Sequence, residues 1–323
     1  MQIKYFAPIR TGDGLTISVD MLTIDYHVGN PASRDKLAAI MDALPIRYAV
    51  HVKSWESFKM GRFRANYTVK LNDGSSFFVG MALNSVKPLW GRCRLEFNPN
   101  KTIRHEVLLF LLGWFNEHCS KVSSSVRRFD LAVDISVDRF DVRLIKDRRV
   151  YSERRHGQEW TEYLGPKSST VGRCKLYNKA AEAGLTYSLT RLELTLDPDT
   201  PYDEIPWPKV YYIDTRQIGL NETRLTDTQR FVLGALMEGY GTLNDLGRKT
   251  REKLGTYLNS YCKWVTVSEA DYAQIRGRLR AILEYPLTPL DVGTIIPDQP
   301  PKPLPEFPAW VQEAEQGPAE QLF

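Results

Sequence analysis

The chain has few cysteines and histidines, and neither residue type is spaced for metal binding. The four cysteines, Cys93, Cys119, Cys174 and Cys262, include no C-x-x-C pair, which argues against a zinc site and against a disulfide framework. The five histidines form no H-x-H or H-E-x-x-H motif. We therefore expect no metal site built on histidine or cysteine.

Long apolar runs are also missing. No stretch of about 18 apolar residues occurs, so the sequence predicts no membrane-spanning helix. The N-terminal segment MQIKYFAPIRTGDG lacks the apolar centre of a secretory signal. A hydrophobic content of 42% and a charged content of 25% are typical of a globular protein. We expect a cytoplasmic protein whose 323 residues can form two domains.

The net charge is only +4, but basic residues are clustered locally. The clusters are KMGRFR (59–64), VRRFD (126–130), KDRRVYSERR (146–155) and GRKTREK (247–253). Basic residues interleaved with aromatic ones fit contact with nucleic acid. A solvated surface explains any single cluster equally well, so only their combination favours a nucleic-acid partner.

Alternating hydrophobicity dominates the first 200 residues and predicts strands. MLTIDYHV (21–28) and RRFDLAVDISV (127–137) each place apolar side chains on one face. RANYTVKLNDGSSFFVGMAL (64–83) predicts a hairpin around its Asn-Asp-Gly turn. The segments 33–44 and 104–119 are predicted helices, the first with Ser33 as its N-cap.

The strand pattern restarts in the middle of the chain. TIDYHV resembles AVDISV, so that Asp25 corresponds to Asp134, and RLEF (94–97) resembles RLEL (191–194). GRCRL (91–95) also resembles GRCKL (172–176), although the two alignments conflict. We predict an α+β fold with an internally duplicated, strand-rich unit, divided into residues 1–125 and 126–220.

The composition changes after about residue 220. Residues 221–285 are predicted to be helical, with Thr226 as a cap, and form either a helix-turn-helix or a plain helical hairpin. Eight prolines lie between positions 286 and 308. They predict a disordered tail over residues 286–323.

Three strands of the second unit carry polar side chains that a shared sheet would bring together. The residues are Asp130, Asp134, Lys175, Tyr177, Lys179, Arg191, Glu193 and Thr195. Carboxylates bind Mg²⁺ or Mn²⁺ when a substrate phosphate completes the shell, which makes Asp130, Asp134 and Glu193 candidate ligands. A tyrosine beside lysines has its phenolate form favoured and is a better nucleophile. Ordinary cross-strand pairing on an exposed sheet face explains the same residues.

Four motifs in this region resemble those of Rep-trans rolling-circle replication initiators, the tyrosine endonucleases of certain plasmids, integrative elements and filamentous phages. The motifs are RRFDLAVDI with Arg128, Asp130 and Asp134; TEYLGPKSS with Tyr163, Gly165 and Ser169; CKLYNK with Tyr177 and Lys179; and TRLEL with Arg191 and Glu193. The resemblance covers residues 127–196 well and the remainder more loosely. It implies a duplicated, RRM-like antiparallel sheet with helices on one face. It also implies metal-dependent nicking of one DNA strand at a replication origin, with a 5′-phosphotyrosine link and later religation.

The resemblance also implies roles for individual residues. Tyr177 would be the nucleophile, assisted by Lys179 and Arg191, and Tyr163 is the alternative nucleophile. DNA contacts would come from Lys167, Ser169, Arg173, Lys175, Arg248, Lys249 and Arg251. The first half would position DNA. Origin DNA is the expected partner, a host helicase would be recruited, and a homodimer would suit an inverted-repeat origin.

Other functions fit the sequence as well. The chain is alternatively a sequence-specific DNA-binding regulator without catalysis, or a relaxase of a mobile element. A third alternative is a single-stranded nucleic-acid-binding protein that uses an RRM-like sheet. That alternative predicts exposed aromatic residues in an R-G-F-G-F-like pattern on the central strands, which the sequence lacks.

Overall fold

The computed structural model describes residues 6–29, 31–48, 50–84, 89–119, 124–157, 159–169, 171–213, 225–237, 243–260 and 262–286. From residue 287 onward, the predicted proline-rich tail lies outside the described residues. Within the described parts the fold is mixed α/β, with a large antiparallel sheet and seven α-helices. In the same parts, no helix is long and apolar enough to cross a membrane.

The large sheet contains eleven of the described strands. They are β1 (Ile9–Arg10), β2 (Thr16–His27), β3 (His51–Glu56), β4 (Phe63–Lys70), β5 (Ser76–Leu83), β6 (Leu89–Phe97), β7 (Ser125–Ile135), β9 (Tyr151–His156), β10 (Glu159–Leu164), β11 (Cys174–Asn178) and β12 (Thr190–Leu196). A second, three-stranded sheet is formed by β8 (Val142–Leu144), β13 (Val210–Ile213) and β14 (Cys262–Trp264).

The helices are distributed along the whole described chain. They are α1 (Pro31–Tyr48), α2 (Pro99–Thr102), α3 (Glu106–His118), α4 (Lys179–Ala183), α5 (Asp227–Met237), α6 (Arg248–Ser260) and α7 (Glu269–Ile282).

α1 begins at Pro31, where proline is favoured because the first turn needs no N–H donor. The predicted N-cap, Ser33, lies inside the helix, so that prediction is wrong. Thr226 does cap α5, because Gln229 N donates to its Oγ1 at 3.3 Å.

The strand order in the large sheet is β3-β4-β5-β6-β2-β7-β12-β11-β10-β9, with β1 paired to β2. From the central β2–β7 pair, the first half runs outward as β2, β6, β5, β4, β3. The second half runs outward as β7, β12, β11, β10, β9. In both halves one strand of the central pair comes first, and the others follow outward in reverse chain order. The sheet is continuous across the boundary predicted at residue 125, because β2 pairs directly with β7.

The main hydrophobic core lies behind one face of this sheet. Tyr26 of β2 stacks on Phe115 of α3 with ring centroids 4.5 Å apart, and Phe129 of β7 stacks on Tyr272 of α7 at 6.5 Å. Burying these alternate side chains leaves the polar ones on the opposite face. We call that opposite face, which carries Asp134, Lys175 and Glu193, the polar face.

The helices α5 and α6 have a small hydrophobic cluster of their own. Leu225, Leu233 and Leu254 are buried together there, apart from the main core. Phe231, two positions before Leu233 on α5, is 79% exposed. This cluster involves α5 and α6 only, since Tyr272 and Ile275 of α7 belong to the main core, and the domain boundaries at 125, 220 and 285 stay predictions.

Candidate nucleic-acid active site

The three predicted strands are neighbours in the sheet, in the order β7, β12, β11. Antiparallel register places Asp134 opposite Arg191 and places Lys175 opposite Glu193. Tyr177 stands opposite Arg191 in the same ladder. Directly opposite residues share a face, so the carboxylates, the tyrosine and the cations meet on the polar face.

Tyr177 is hydrogen-bonded to a carboxylate on the neighbouring strand. Its Oη donates to Glu193 Oε1 at 2.6 Å, and Lys175 Nζ lies 3.6 Å from Glu193 Oε2. Lys175 Nζ also lies 3.7 Å from the centre of the Tyr177 ring. The three side chains form a compact group, which we call the Tyr177 triad.

The electrostatics of this triad differ from the sequence-based expectation. Burial, and then the charge of Glu193, raise the pKa of Tyr177 above its ordinary value. Burial also raises the pKa of Glu193, against the opposing effect of Lys175. The neighbouring lysines therefore do not lower the pKa of Tyr177 overall. The geometry supplies a proton acceptor instead, since a carboxylate 2.6 Å from the phenol is placed to accept its proton.

Lys179 is displaced from the position that the sequence predicts. β11 ends at Asn178, whose side chain accepts a hydrogen bond from Ala181 N at 2.9 Å and so caps α4. Lys179 therefore begins α4, and it pairs with Glu182 on the same helix. Its Nζ lies 5.8 Å from the Tyr177 ring centre, which is farther than Lys175.

Arg191 connects three strands through two carboxylates. Its Nε and Nη2 donate to Asp134 at 2.6 and 2.8 Å, and its Nη1 donates to Asp20 Oδ1 at 2.7 Å. Burial alone would lower the pKa of Arg191, but the hydrogen bond and charge of Asp134 raise it. These contacts use three of the five guanidinium N–H donors of Arg191, so a phosphate would have to share Arg191 with two carboxylates.

Sequence reasoning did not single out Asp20. The residue sits at a register shift between Val19 and Met21, where a β-bulge turns the extra side chain toward the neighbouring strand. The sequence shows this bulge as a one-residue shift in the alternation of apolar and polar positions. The apolar positions are Ile17 and Val19 before this point, and Leu22 and Ile24 after it.

The three predicted metal ligands do not converge. Asp134 is held by Arg191, Asp130 pairs with Arg128 at 3.1 Å, and Glu193 belongs to the Tyr177 triad. Within the residues that the structure describes, no group of three or more histidine, cysteine or carboxylate side chains is arranged to hold a metal ion. In this arrangement each of the three carboxylates is paired with a neighbouring side chain, so a divalent cation would have to displace these partners.

Tyr163, the alternative nucleophile, lies on the adjacent strand β10. It stands opposite Lys175 and so shares the polar face, and the Arg173 guanidinium lies 5.5 Å from its ring centre. Tyr163 is half-buried, whereas Tyr177 is only 4% exposed. Tyr163 thus has the better access to a large substrate, while Tyr177 has the better proton acceptor.

The remaining predicted DNA contacts lie in two places. In the turn after β10, Lys167 is exposed and Ser169 Oγ donates to Val171 O at 2.6 Å, next to Arg173. On α6, the predicted contacts Arg248, Lys249 and Arg251 are all exposed, and Arg248 pairs with Glu252 at 2.9 Å. The first group borders the Tyr177 triad, and the second lies on the helical module.

The first half of the sheet repeats one feature of this site. Arg94 Nε donates to Asp25 Oδ1 at 2.6 Å, as Arg191 does to Asp134. The residue opposite Arg94 is Gly80, at the register position that Tyr177 occupies opposite Arg191. The first half therefore has the arginine–aspartate pair without the tyrosine.

Comparisons with known proteins add little to this geometry. No family model matches the chain, and no curated protein matches it. Among solved structures, it is similar to a rolling circle replication initiator protein from Geobacillus stearothermophilus. The identity is 14%, the coverage is 85% of this chain and 99% of that one, and the TM-score is 0.36. Any function must therefore be argued from the side chains themselves.

Proposed function

We propose that this protein initiates rolling-circle replication by nicking one DNA strand at an origin through a tyrosine transesterification. The observation that carries the proposal is the hydrogen bond from Tyr177 Oη to Glu193 Oε1 at 2.6 Å. A nucleophile and a general base within hydrogen-bond reach are what covalent catalysis requires. The resemblance of the four motifs to Rep-trans initiators supplies the substrate class.

The proposed step balances without water. Glu193 takes the phenol proton as Tyr177 Oη forms a bond to phosphorus, and the bond from phosphorus to the 3′ oxygen breaks. The proton held by Glu193 passes, by exchange through solvent, to the leaving oxygen, which becomes a 3′ hydroxyl, while the 5′ phosphate stays on the tyrosine. One phosphodiester replaces another, so the reverse reaction religates the strand. A carboxylate whose pKa is raised by burial is a better proton acceptor for this task.

Cations around the triad would position the scissile phosphate. Lys175 is the nearest, because its Nζ contacts both the Tyr177 ring and Glu193. Arg173 and Lys167 would extend the contact along the DNA backbone. The exposed Arg248, Lys249 and Arg251 of α6 would bind duplex DNA beside the origin, where Lys and Arg neutralise phosphates.

The predicted dependence on Mg²⁺ or Mn²⁺ remains part of the proposal. Asp134 and Glu193, with Asp130, would have to hold the ion, and Arg191 would first have to release Asp134. A bound cation would supply charge neutralisation at the phosphate. Nothing else in the proposed step depends on it.

The duplicated, RRM-like organisation is proposed on two observations. The order of strands outward from the β2–β7 pair is the same in both halves, and the arginine–aspartate pair recurs at Arg94 and Arg191. Because Gly80 replaces the tyrosine, we assign the first half to DNA positioning. A homodimer and a recruited helicase remain proposals from the resemblance.

A second candidate function is DNA-binding regulation without nicking. The low exposure of Tyr177, 4%, favours it, because a phosphodiester cannot reach a covered phenol unless the surrounding side chains move. On the same ground Tyr163, which is half-buried, is the second candidate nucleophile.

One assay separates these possibilities. The protein is incubated with supercoiled DNA of its own replicon, with Mg²⁺, with Mn²⁺ or with chelator, and the products are run on a denaturing gel. A nicked strand joined covalently to wild type, and absent for Tyr177→Phe alone, supports the proposal. Loss for Tyr163→Phe alone moves the nucleophile to β10. Binding without any nick or adduct leaves the regulator.

A further inference from the structure

An aromatic patch lies on the polar face at the opposite end of the sheet from Tyr177. Trp55 of β3 is 42% exposed, and its ring centroid is 6.0 Å from that of Phe78 on β5. Phe78 in turn lies 6.5 Å from Phe63, whose ring is covered by the Arg94 guanidinium at 5.3 Å. An exposed tryptophan beside a second half-buried ring offers a surface for stacking.

The turn that joins β3 to β4 extends this patch and is held firmly. Asn84 Nδ2 donates to Ser57 O at 2.6 Å and to Lys59 O at 3.3 Å, and Gly61 N donates to Asn84 O at 2.8 Å. On this turn Phe58 and Met60 are 51% and 53% exposed. The buried Asn84 thus fixes a turn that presents apolar side chains to solvent.

The charge around the patch is strongly positive. Residues 53–64 contain four cations and one carboxylate. Lys53, Lys59 and Arg62 are exposed, as is the carboxylate Glu56, whereas the fourth cation, Arg64, is buried. The Arg64 guanidinium lies 4.0 Å over the Phe58 ring. Exposed rings surrounded by cations are complementary to unpaired bases and their phosphates. A protein partner with an apolar surface would cover the rings but leave these cations without a counter-charge.

We propose that this patch, formed by Trp55, Phe58, Phe78 and the surrounding cations, binds single-stranded DNA by stacking unpaired bases on Trp55 and Phe78. The inference rests on the proposed function in one respect: the strand held here is the one presented to Tyr177. Phe78 lies opposite Glu96, on the polar face. Five strand spacings separate β5 from β11, which at about 4.8 Å each is roughly 24 Å. An extended strand of a few nucleotides spans that distance.

The position of the aromatic patch in the sheet also explains why the sequence shows no RRM-like aromatic motif. An RRM-type pattern would lie on the central strands, but β2 and β7 carry no phenylalanine, tyrosine or tryptophan on the polar face. The aromatic residues are instead contributed by β3 and β5, two strands that are separated by β4. Their proximity depends on long-range pairing rather than on a local motif.

The test uses the full chain and two fluorescent oligonucleotides, a mixed-sequence single strand and the same strand annealed to its complement. Affinities are measured by anisotropy for wild type, Trp55→Ala, Trp55→Phe and Trp264→Ala. Trp264 is a matched control because it is an exposed tryptophan, 52% accessible, on the three-stranded sheet. Tyr177→Phe is included to separate binding from nicking.

The expected result is a single-strand affinity at least about fivefold weaker for Trp55→Ala, with duplex affinity unchanged. Trp264→Ala should bind the single strand as wild type does, and Trp55→Phe, which keeps a ring for stacking, should restore the affinity lost in Trp55→Ala. In a Tyr177→Phe background, where no nick forms, Trp55→Ala should cause the same loss. Equal losses on single strand and duplex, no loss at all, or no single-strand binding by wild type would overturn the inference. So would a change from dimer to monomer in sedimentation of Trp55→Ala, because the patch would then be a subunit contact. Trp55-dependent binding without any nicking would keep the patch and reject the proposed function.

Discussion

Tyr177 and Glu193 form a diagonal pair across β11 and β12, with the phenol oxygen 2.6 Å from the carboxylate. Neither residue is directly opposite the other, since Tyr177 faces Arg191 and Glu193 faces Lys175. Diagonal neighbours in a sheet are within reach of long side chains. Under the proposed function this arrangement would make Glu193 the proton acceptor, which differs from the metal-ligand role predicted from the sequence.

The first prediction concerns Glu193→Gln. The amide keeps the shape of the side chain but cannot accept the phenol proton, so single-turnover nicking should slow by about 100-fold or more. Because burial raises the pKa of Glu193 above 4.5, the wild-type rate should rise with pH through a pKa higher than that value. The variant should lack this rise.

The matched control for that experiment is Glu182→Gln. Glu182 is a carboxylate of α4 that pairs with Lys179 and does not contact the phenol. The nicking rate and pH profile of the Glu182→Gln variant should match those of wild type. If Glu193→Gln nicked as fast as wild type with an unchanged profile, Glu193 would not be the base.

The second prediction compares two arginines of the polar face. Arg191 has a side chain only 10% exposed and holds both Asp134 and Asp20, so Arg191→Ala leaves two partly buried carboxylates without a cation. The free energy of unfolding should fall by about 3 kcal/mol. Arg128, 40% exposed, holds Asp130 alone, and Arg128→Ala should cost less than about 1 kcal/mol. Urea unfolding measures both, and equal losses would show that Arg191 does not connect the strands as described.

Local patterns predicted most of the strands that form the site. Period-2 alternation placed Tyr177 and Glu193 on polar faces, and the Asn-Asp-Gly turn gave the hairpin of β4 and β5. These features depend on neighbouring residues, which a single sequence displays directly. The same alternation wrongly extended β11 to Lys179, because the Asn178 side chain caps a helix at that point.

The partners of each side chain could not be predicted in the same way. Asp20 and Arg191 are 171 positions apart in the chain, and their contact depends on how β2, β7 and β12 are ordered in the sheet. The direction in which the pKa of Tyr177 shifts could not be predicted either, and the reason is related. The lysines that precede and follow it are visible in sequence, whereas burial and the diagonal carboxylate belong to the folded sheet.

The last prediction concerns Gly80, the first-half counterpart of Tyr177. A Cβ added at Gly80 would lie 2.6 Å from two ring atoms of Phe63, closer than atoms can pack. Gly80→Ala should therefore destabilise the fold by about 1–3 kcal/mol. In a Phe63→Ala background the ring is gone, so the same glycine substitution should cost much less. A double-mutant cycle by urea unfolding measures this coupling.

Gly234→Ala is the control for that cycle, because a Cβ at Gly234 of α5 meets nothing within 4 Å and alanine favours a helix. Additive losses for Gly80 and Phe63 would contradict the described packing. Coupled losses would mean that Phe63 occupies the space a second tyrosine would need. The Arg94–Asp25 pair then lies beside a phenylalanine ring, and under the proposed function the chain would have one nicking centre, with the first half left to bind the strand.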